Sequence, residues 1–344
     1  MKKAQRKTGK VMNILTRTFA EFSVEFHFQS IAGSRSAAQI YHAVYKKGDL
    51  TGFDETKTAI SGLLKIVQDQ EVQKVATTLL DGSIIESVII PGPRRTTLCV
   101  SSQVGCRWGC VFCATGKNGF ARNLSTHEIV AQVFNARFTL GCSINNIVFM
   151  GMGEPLDNFD NVIQAIRVIS DQRGFNIPLS RITLSTAGHA DGVALLAAQN
   201  MPRLRLALSL HAGDDEVRNR LMPMNRRFPL AELKKKLREY PLCKRGVFLI
   251  EYVVIAGIND SREAAGKLAE FLKDLPTRVN LIAFNPHPDL PYHAPDDDAL
   301  KQFRQWLIEK GIFVRIRRSR GCGIMAACGQ LAGDRPSEIA ARVM

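Results

Sequence analysis

The sequence predicts an α/β protein built on parallel strands, a barrel or a doubly wound sheet, with a small helical part and a β-hairpin ahead of it. Three observations carry that expectation. Between Arg95 and Arg318 short apolar, β-branched runs alternate with helical patterns, and repeated strand–helix alternation calls for parallel strands joined by right-handed crossovers. Ahead of them, KVATTLLDGSIIESVII sets Asp81–Gly82 between two apolar runs, the strongest short hairpin signal a sequence carries. Hydrophobic residues make up 45% and charged residues 23% of 344, values that rule out wholesale disorder.

In chain order, residues 1–72 read as mostly helical and polar, with a break at Gly33–Ser34 and a turn from Gly48 to Gly52. Residues 73–93 form the hairpin. The strands that follow are expected at 95–102, 145–151, 181–187, 203–211, 246–255, 278–285 and 312–318. Helices are expected at 123–140, 158–173, 190–200, 229–240, 261–274 and 296–310. The first of these opens on Ser125-Thr126-His127-Glu128, a capping box in which serine and glutamate satisfy each other's backbone amides. In the fourth, Leu230, Leu233 and Leu237 make an apolar stripe, and the surrounding lysines read as a solvated face.

Lys+Arg 46 against Asp+Glu 32 leaves +14. Such a balance suits a polyanionic partner, most simply nucleic acid, or a well-solvated surface. No apolar run approaches the roughly 20 residues that span a bilayer. The basic N-terminus has no continuous apolar stretch and no small-residue cleavage site, so no secretory signal is expected and the reading is cytoplasmic. Of eight cysteines, Cys99, Cys106, Cys110 and Cys113 crowd together, Cys322 and Cys328 lie near the C-terminus, and Cys142 and Cys243 read as structural. That distribution is not a disulfide framework; it points to metal or thiol chemistry in a reducing compartment.

The sharpest feature is Cys106-Arg-Trp-Gly-Cys110-Val-Phe-Cys113, a CxxxCxxC motif just after a predicted strand. Three thiolates so close can ligate one centre. Four ligands are the usual complement of a 4Fe–4S cluster or a structural zinc, so three leave one iron open, or one zinc position for a remote Cys or His. Gly153–Glu154, Ser185, Ser209–His211 and Asn285 each fall at or just beyond the C-terminal end of a predicted strand, which is where barrels carry their active sites.

CxxxCxxC with an aromatic before its last cysteine resembles the radical S-adenosylmethionine (SAM) enzymes. The wider strings resemble the RlmN/Cfr family of RNA adenine methyltransferases: TLCVSSQVGCRWGCVFCATG (97–116), GMGEPLDN (151–158), LSTAG (184–188), SLHA (209–212), LMPMN (221–225), EYVVIAGIND (251–260), NLIAFNP (280–286) and RSRGCGIMAACGQLAG (318–333). The likeness covers about residues 75–333. It implies a partial (β/α)6-type radical SAM barrel over 94–320, an RNA-binding helical accessory domain over 1–72, the hairpin as an extension over 73–93, and a C-terminal segment, 321–344, with a methyl-carrier cysteine.

By the same resemblance Cys106, Cys110 and Cys113 hold a 4Fe–4S cluster whose open iron takes SAM, and Gly153–Glu154 meets the SAM amine. Ser185, Ser209, Leu210, His211 and Asn285 match the remaining SAM-contacting positions. Cys328 matches the cysteine that carries a methyl group. A second SAM, the other of two per turnover, is reductively cleaved, and its 5′-deoxyadenosyl radical takes hydrogen from that methyl. The carbon radical adds to the adenine, and Cys99 matches the thiol that releases product by forming a disulfide with Cys328. Glu86 matches the proton acceptor. The implied reaction is methylation of adenine carbon 2 in 23S rRNA, with tRNA as a second RNA, by a monomer served by an electron donor such as flavodoxin and without a membrane. NPHP (285–288) and GQLAGD (329–334) lean towards carbon 2 over carbon 8. A non-enzymatic RNA-binding zinc protein and a radical SAM enzyme acting on a protein or small molecule are the other classes. The chain departs from the family pattern at Cys322-Gly323-Ile324-Met325, where an acidic stretch is usual. It departs again at Ala43, where tryptophan is usual, and at Arg35–Ser36, where Phe-Arg is usual.

Overall fold

A computed structural model describes residues 13–28, 35–51 and 62–332. Helices α1 (Phe19–Phe28) and α2 (Ala37–Lys47) come first. A capping box at Ser36 and Gln39 starts α2, and Gly48 in the left-handed region (φ 73°) stops it. Tyr41 and Tyr45 of α2 are fully buried, and the Tyr45 ring meets Phe175 edge-on at 4.9 Å, within one shared core.

Residues 1–72 are not all helix and loop. Leu63–Asp69 is strand β1, paired antiparallel with β2 (Val72–Thr78) across a turn at Gln70, whose φ is 52°. As an edge strand with Ile66 exposed, β1 lacks the inward apolar period by which a strand is read from sequence. The hairpin is where the Asp81–Gly82 signal puts it: β2 pairs with β3 (Ile84–Ile90), and the Leu79 amide donates to the Ser83 carbonyl at 2.8 Å.

Beyond β3 the expected series follows. β4 (Thr96–Cys99) pairs antiparallel with β3; a two-stranded ribbon of β5 (Gln103–Gly105) and β6 (Phe120–Asn123) stands apart, with the short helix α3 (Ala114–Lys117) between them. The remaining units are α4 (Thr126–Phe134), β7 (Ile144–Phe149), α5 (Phe159–Ser170), β8 (Ile182–Thr186), α6 (Ala190–Ala197) and β9 (Arg205–Ser209). They continue through α7 (Asp215–Leu221), α8 (Leu230–Glu239), β10 (Phe248–Val254), α9 (Arg262–Leu272), β11 (Thr277–Ala283), α10 (Asp297–Glu309) and β12 (Val314–Ile316). The seven expected strands are all present, and the expected helices match apart from α4, which gives way to a π-helical turn at Asn135–Thr139.

One ten-stranded sheet runs in the order β1-β2-β3-β4-β7-β8-β9-β10-β11-β12. Its first four strands are antiparallel and the rest, from β4 on, parallel. Six β–α units followed by a short last strand give the partial (β/α)6 architecture. The parallel strands are covered on both faces, as such sheets require: all five residues of β8 are buried. The side opposite the helices is closed by the chain after β12. It turns through Gly321 (φ 74°), Cys322–Ile324 and Met325 (φ 52°) and returns to the first strands. There the Ala332 amide donates to Glu86 Oε2 at 3.0 Å, and on the way the Ala114 amide of α3 donates to the Gly329 carbonyl at 2.8 Å.

Candidate active site

The cysteine loop hangs from the β5–β6 ribbon. Gly105 sits at φ 75°, and a Cβ there would lie 1.9 Å from the Gly119 carbonyl oxygen, so only glycine lets the ribbon close. The Cys106 amide then donates to that carbonyl at 2.7 Å, and the Val111 amide to the Leu221 carbonyl at 3.1 Å. Asp157, from the GMGEPLDN string, holds the loop from a third side. Its Oδ2 accepts from Trp108 Nε1 at 2.8 Å and lies 3.4 Å from the Arg107 guanidinium, while Oδ1 lies 3.4 Å from His189 Nε2.

Cys106, Cys110 and Cys113 all open on one cavity of about 170 Å³. Burial pushes the Cys106 thiol up to about 12 and Cys110 well above its ordinary range, with the neighbouring sulfurs adding to the effect. Such thiols give up their protons only to a cation that replaces them. Among the described residues no three His, Cys, Asp or Glu side chains converge on a single-ion site. A zinc ion needs four ligands on one metal. Thiolates of a cubane each bond a different iron and so stand apart, and three sulfurs facing one cavity fit that group.

Strand ends supply the rest of the wall. Gly153 has φ 101°, and a Cβ there would come within 2.5 Å of Gln103 Cβ; its freedom lets the chain turn so that Glu154 faces inward. Glu154 is 3% exposed. Its Oε2 accepts from the Ala187 amide at 2.7 Å and its Oε1 from the Leu156 amide at 3.1 Å, while its own amide donates to Gln103 Oε1 at 2.8 Å. Burial raises its carboxyl to about 7 against the pull of those amides. Ser185, Ser209, His211 and Asn285 line the same cavity.

His211 occupies the left-handed region (φ 56°). Its Nδ1 accepts from the Val253 amide at 2.9 Å, and its ring meets Phe112 of the cysteine loop edge-on at 4.8 Å. Burial, helped by the Arg218 charge, pulls this histidine down to about 3, so it is neutral. Leu210 lies behind the wall, its side chain fully buried and its amide on the Glu251 carbonyl at 3.0 Å.

Cys328 faces this cavity and also a second one, of about 120 Å³, that contains Cys99 and is rimmed by Arg317, Arg318 and Arg320. Its loop is pinned to the strand ends by Asn285 Nδ2, which donates to the Cys328 carbonyl at 2.9 Å; Cys322 Sγ lies 3.5 Å from Asn285 Oδ1. All eight cysteines are free thiols, so Cys99 and Cys328 are not joined here. Burial pushes Cys99 up to about 12, and Cys328 adds to the rise. Cys328 is exposed, but to these narrow cavities, and its thiol is raised too, with Arg317 opposing.

Glu86 is not brought to either cavity. It is 1% exposed, paired through Oε1 with Lys74 Nζ at 2.9 Å, and bonded through Oε2 to Ala332. It borders a third, larger cavity of about 680 Å³ with Lys65, Lys117 and His287.

Three charged residues with no catalytic or cofactor-binding role legible in the sequence join the site. Glu251, in the cavity of the cysteine trio, has Oε1 bonded to Asn280 at 2.8 Å, while Oε2 has no hydrogen-bond partner among the described residues and lies 3.7 Å from Arg317. A lone acid inside the apolar run FLIEYVV was the available signal. Arg317 lines the cavity of Cys99 and Cys328, and its charge favours the thiolate of each. Arg218 is fully buried and bonded to the strand-end carbonyls, and nothing in the local pattern of DEVRNRL sets it apart from its solvated neighbours.

Comparison with known proteins agrees with this geometry. The family model of the radical SAM superfamily matches residues 100–271. A probable dual-specificity RNA methyltransferase RlmN 1 of Protochlamydia amoebophila is 38% identical over 337 residues, 93% of this chain and 94% of its own length. The dual-specificity RNA methyltransferase RlmN of Desulfotalea psychrophila is 46% identical over 271 residues, 76% of this chain and 74% of its own. The crystal structure of a radical SAM methyltransferase from Sphaerobacter thermophilus superimposes with a TM-score of 0.86 at 37% identity, covering 94% of this chain and all of that one. The chain therefore belongs to the radical SAM superfamily and, within it, to the RlmN family of SAM-dependent methyltransferases.

Proposed function

We propose that this enzyme methylates carbon 2 of an adenine in 23S rRNA, and of an adenine in tRNA, through a methyl-cysteine on Cys328. One observation carries the reading: Cys328 is the thiol that faces both the cavity of the cysteine trio and the cavity of Cys99. A residue that must collect a one-carbon unit on one side and be resolved by a second thiol on the other belongs at that junction.

Cys106, Cys110 and Cys113 would hold a 4Fe–4S cluster, which would supply the electron for splitting SAM. Two SAM molecules serve each turnover, one as methyl donor and one for cleavage. Glu154, fixed by two amides, takes the SAM ammonium as a charge-assisted bond, and Ser185, Ser209 and Asn285 offer polar groups beside it. Neutral His211 keeps Phe112 and the loop in register with β10. Cys328 loses its proton and accepts the methyl group of one SAM, with S-adenosylhomocysteine leaving. Cleavage of the second SAM would remove one hydrogen atom from that methyl as 5′-deoxyadenosine, and the carbon would bond to adenine carbon 2 as the ring gives up a proton and one electron. At the end of the reaction the Cys99 sulfur attacks the Cys328 sulfur. The S–S bond forms as the bond from Cys328 to the carbon on adenine breaks, and that carbon takes a proton. Splitting the transfer through a covalent intermediate replaces one difficult step with easier ones. Glu86 matches the family's proton acceptor by resemblance, but here it borders a separate cavity and is held by Lys74 and Ala332, so no proton step is assigned to it.

The arginines at the rim of the Cys99 cavity and the net charge of +14 support an RNA partner. The RlmN relatives and the NPHP and GQLAGD strings support carbon 2. A cytoplasmic monomer reduced by a flavodoxin-type donor completes the reading; among the described residues no helix is long and apolar enough to cross a membrane. Mass mapping of modified adenosines in a deletion strain tests it: 2-methyladenosine should vanish from 23S rRNA and tRNA and return with the wild-type gene. An unchanged methylation map, or loss of 8-methyladenosine instead, would refute the assignment.

A further inference from the structure

Arg218 heads the fully buried side chains by volume, and its hydrogen bonds all run to neutral acceptors. Nε donates to the Leu210 carbonyl at 3.0 Å, Nη1 to Asn225 Oδ1 at 2.6 Å, and Nη2 to the Ala187 carbonyl and, at 3.3 Å, to the Ser209 carbonyl. The carboxylate of Asp215 is linked to it through Asn225, whose Nδ2 donates to Asp215 Oδ1 at 2.7 Å. The chain after β8 is fitted around the guanidinium: Gly188 has φ 108°, and a Cβ there would lie 2.9 Å from Nη2. A charge held this deep with neutral partners is costly unless an opposite charge stands nearby.

The cavity side supplies that opposite charge once cluster binding turns Cys110 into a thiolate. Burial lowers the guanidinium to about 10, which leaves it charged at neutral pH, and the group that opposes this most is Cys110, ahead of Asp215. The helix carrying Arg218 is bonded to the cysteine loop through the Val111 amide and the Leu221 carbonyl. Cys110 and Val111 pack against the buried cluster that contains Leu221 and Met222, and Met222 is itself part of the cavity wall.

We infer that Arg218 is a positioning residue for the iron–sulfur centre: it ties the ends of β8 and β9 to the LMPMN turn and sets a fixed positive charge behind Cys110 that makes the cluster easier to reduce. The inference rests on the three cysteines being the cluster ligands. One-electron reduction adds a negative charge to a centre already ligated by three thiolates, and cluster potentials respond to net charge and surroundings. In a low-dielectric interior a nearby cation favours the reduced form. Lysine would keep the charge but not the planar fork that reaches acceptors on separate segments.

Potentiometric titration of the full-length, anaerobically reconstituted protein with dithionite, followed by electron paramagnetic resonance, tests this. Arg218→Gln with wild-type iron and sulfide should be reduced at a lower midpoint potential than wild type. Arg218→Lys should keep a midpoint close to wild type while binding SAM more weakly, because the strand ends loosen. The paired exchange Asn225→Asp with Asp215→Asn moves a carboxylate against the guanidinium at constant net charge. It should lower the midpoint by a smaller amount, and it decides the matter if Arg218→Gln does not fold. A fully loaded Arg218→Gln with the wild-type potential, or a paired exchange without a shift, overturns the proposal alone. Wild-type protein that takes up no iron and sulfide overturns the cluster assignment and this proposal together.

Discussion

The molecule carries two sets of cavity-lining thiols with different proposed roles, and they are built in opposite ways. Cys106, Cys110 and Cys113 belong to one short loop, anchored locally by the β5–β6 ribbon, Asp157 and Leu221. Cys99 and Cys328 are far apart in the chain and meet because β4 ends at the cavity while the segment after β12 is drawn back across the open side of the sheet. A metal centre needs fixed spacing, which a loop provides. A carrier that must visit two chemical partners is better placed on a segment whose ties are a few hydrogen bonds.

The largest effect that separates the two sets is on metal content. Cys110→Ala should abolish iron loading and SAM cleavage, with the melting temperature of the metal-free protein little changed, since Cys110 lies in a small satellite of the core. Cys99→Ser and Cys328→Ser should load iron and cleave SAM but yield no methylated RNA. Iron and sulfide analysis beside 5′-deoxyadenosine release checks both. A full cluster in Cys110→Ala would break the division.

Within the pair, order matters. If Cys328 carries the carbon and Cys99 releases it, Cys99→Ala purified from cells should bear covalently attached, nuclease-sensitive RNA. Cys328→Ala should bear none and should lack protein methylation, and the double variant should match Cys328→Ala. Such non-additivity marks residues that act as one unit. Mass spectrometry of the purified proteins reads all three. Normal product with no adduct in Cys99→Ala would defeat the carrier mechanism and leave the fold untouched.

The same contrast explains what could be read from sequence. The loop thiols and the strand ends were legible because each is a local pattern: CxxxCxxC after a strand, and Gly153–Glu154, Ser185, Ser209 and Asn285 after theirs. β1 was not legible, because an edge strand with Ile66 outward has no apolar period. Glu86 reads on its own as an exposed strand carboxylate, yet Lys74 on the neighbouring strand and Ala332 from the far end of the chain bury it. Arg218 was invisible for the same reason. Its burial depends on Ala187, Ser209, Leu210 and Asn225 arriving together, and tertiary neighbours leave no trace in a helical period.

Glu154 offers a smaller and more graded test on the cluster side. Its carboxyl is raised to about 7 by burial, so without SAM it is increasingly protonated as pH falls below that value. A neutral acid cannot pair with the SAM ammonium. SAM affinity should therefore weaken as pH drops through about 7, approaching a tenfold loss per unit below it. Glu154→Gln should cost about 1.5–3 kcal/mol of SAM binding, roughly 10- to 100-fold, the range for a hydrogen bond to a charged group. It should also flatten the pH dependence. Calorimetric titration between pH 6 and about 8 measures both; a wild-type profile with no slope would remove Glu154 from the ammonium site.

The smallest effect belongs to the basic rim on the carrier side. Arg318 and Arg320 border the cavity of Cys99 and Cys328, and both are far from the cysteine trio in the sense that matters, since neither lines its cavity. If they neutralise phosphates, each pairing releases condensed counterions and steepens the dependence of log affinity on log salt by about 0.7–0.9. Arg318→Ala and Arg320→Ala should therefore each reduce the slope by about that amount and weaken RNA binding evenly across sequences. Iron content and SAM affinity should stay at wild-type values. Arg320 also donates to the Pro91 carbonyl, so Arg320→Lys is the control that keeps a charge while giving up the fork; it should restore most of the slope. Filter binding of an rRNA fragment across a salt series gives these numbers. Unchanged slopes in both alanine variants would move the RNA path away from this rim and leave the larger cavity bordered by Lys65 and Lys117 as the face on which to look for it.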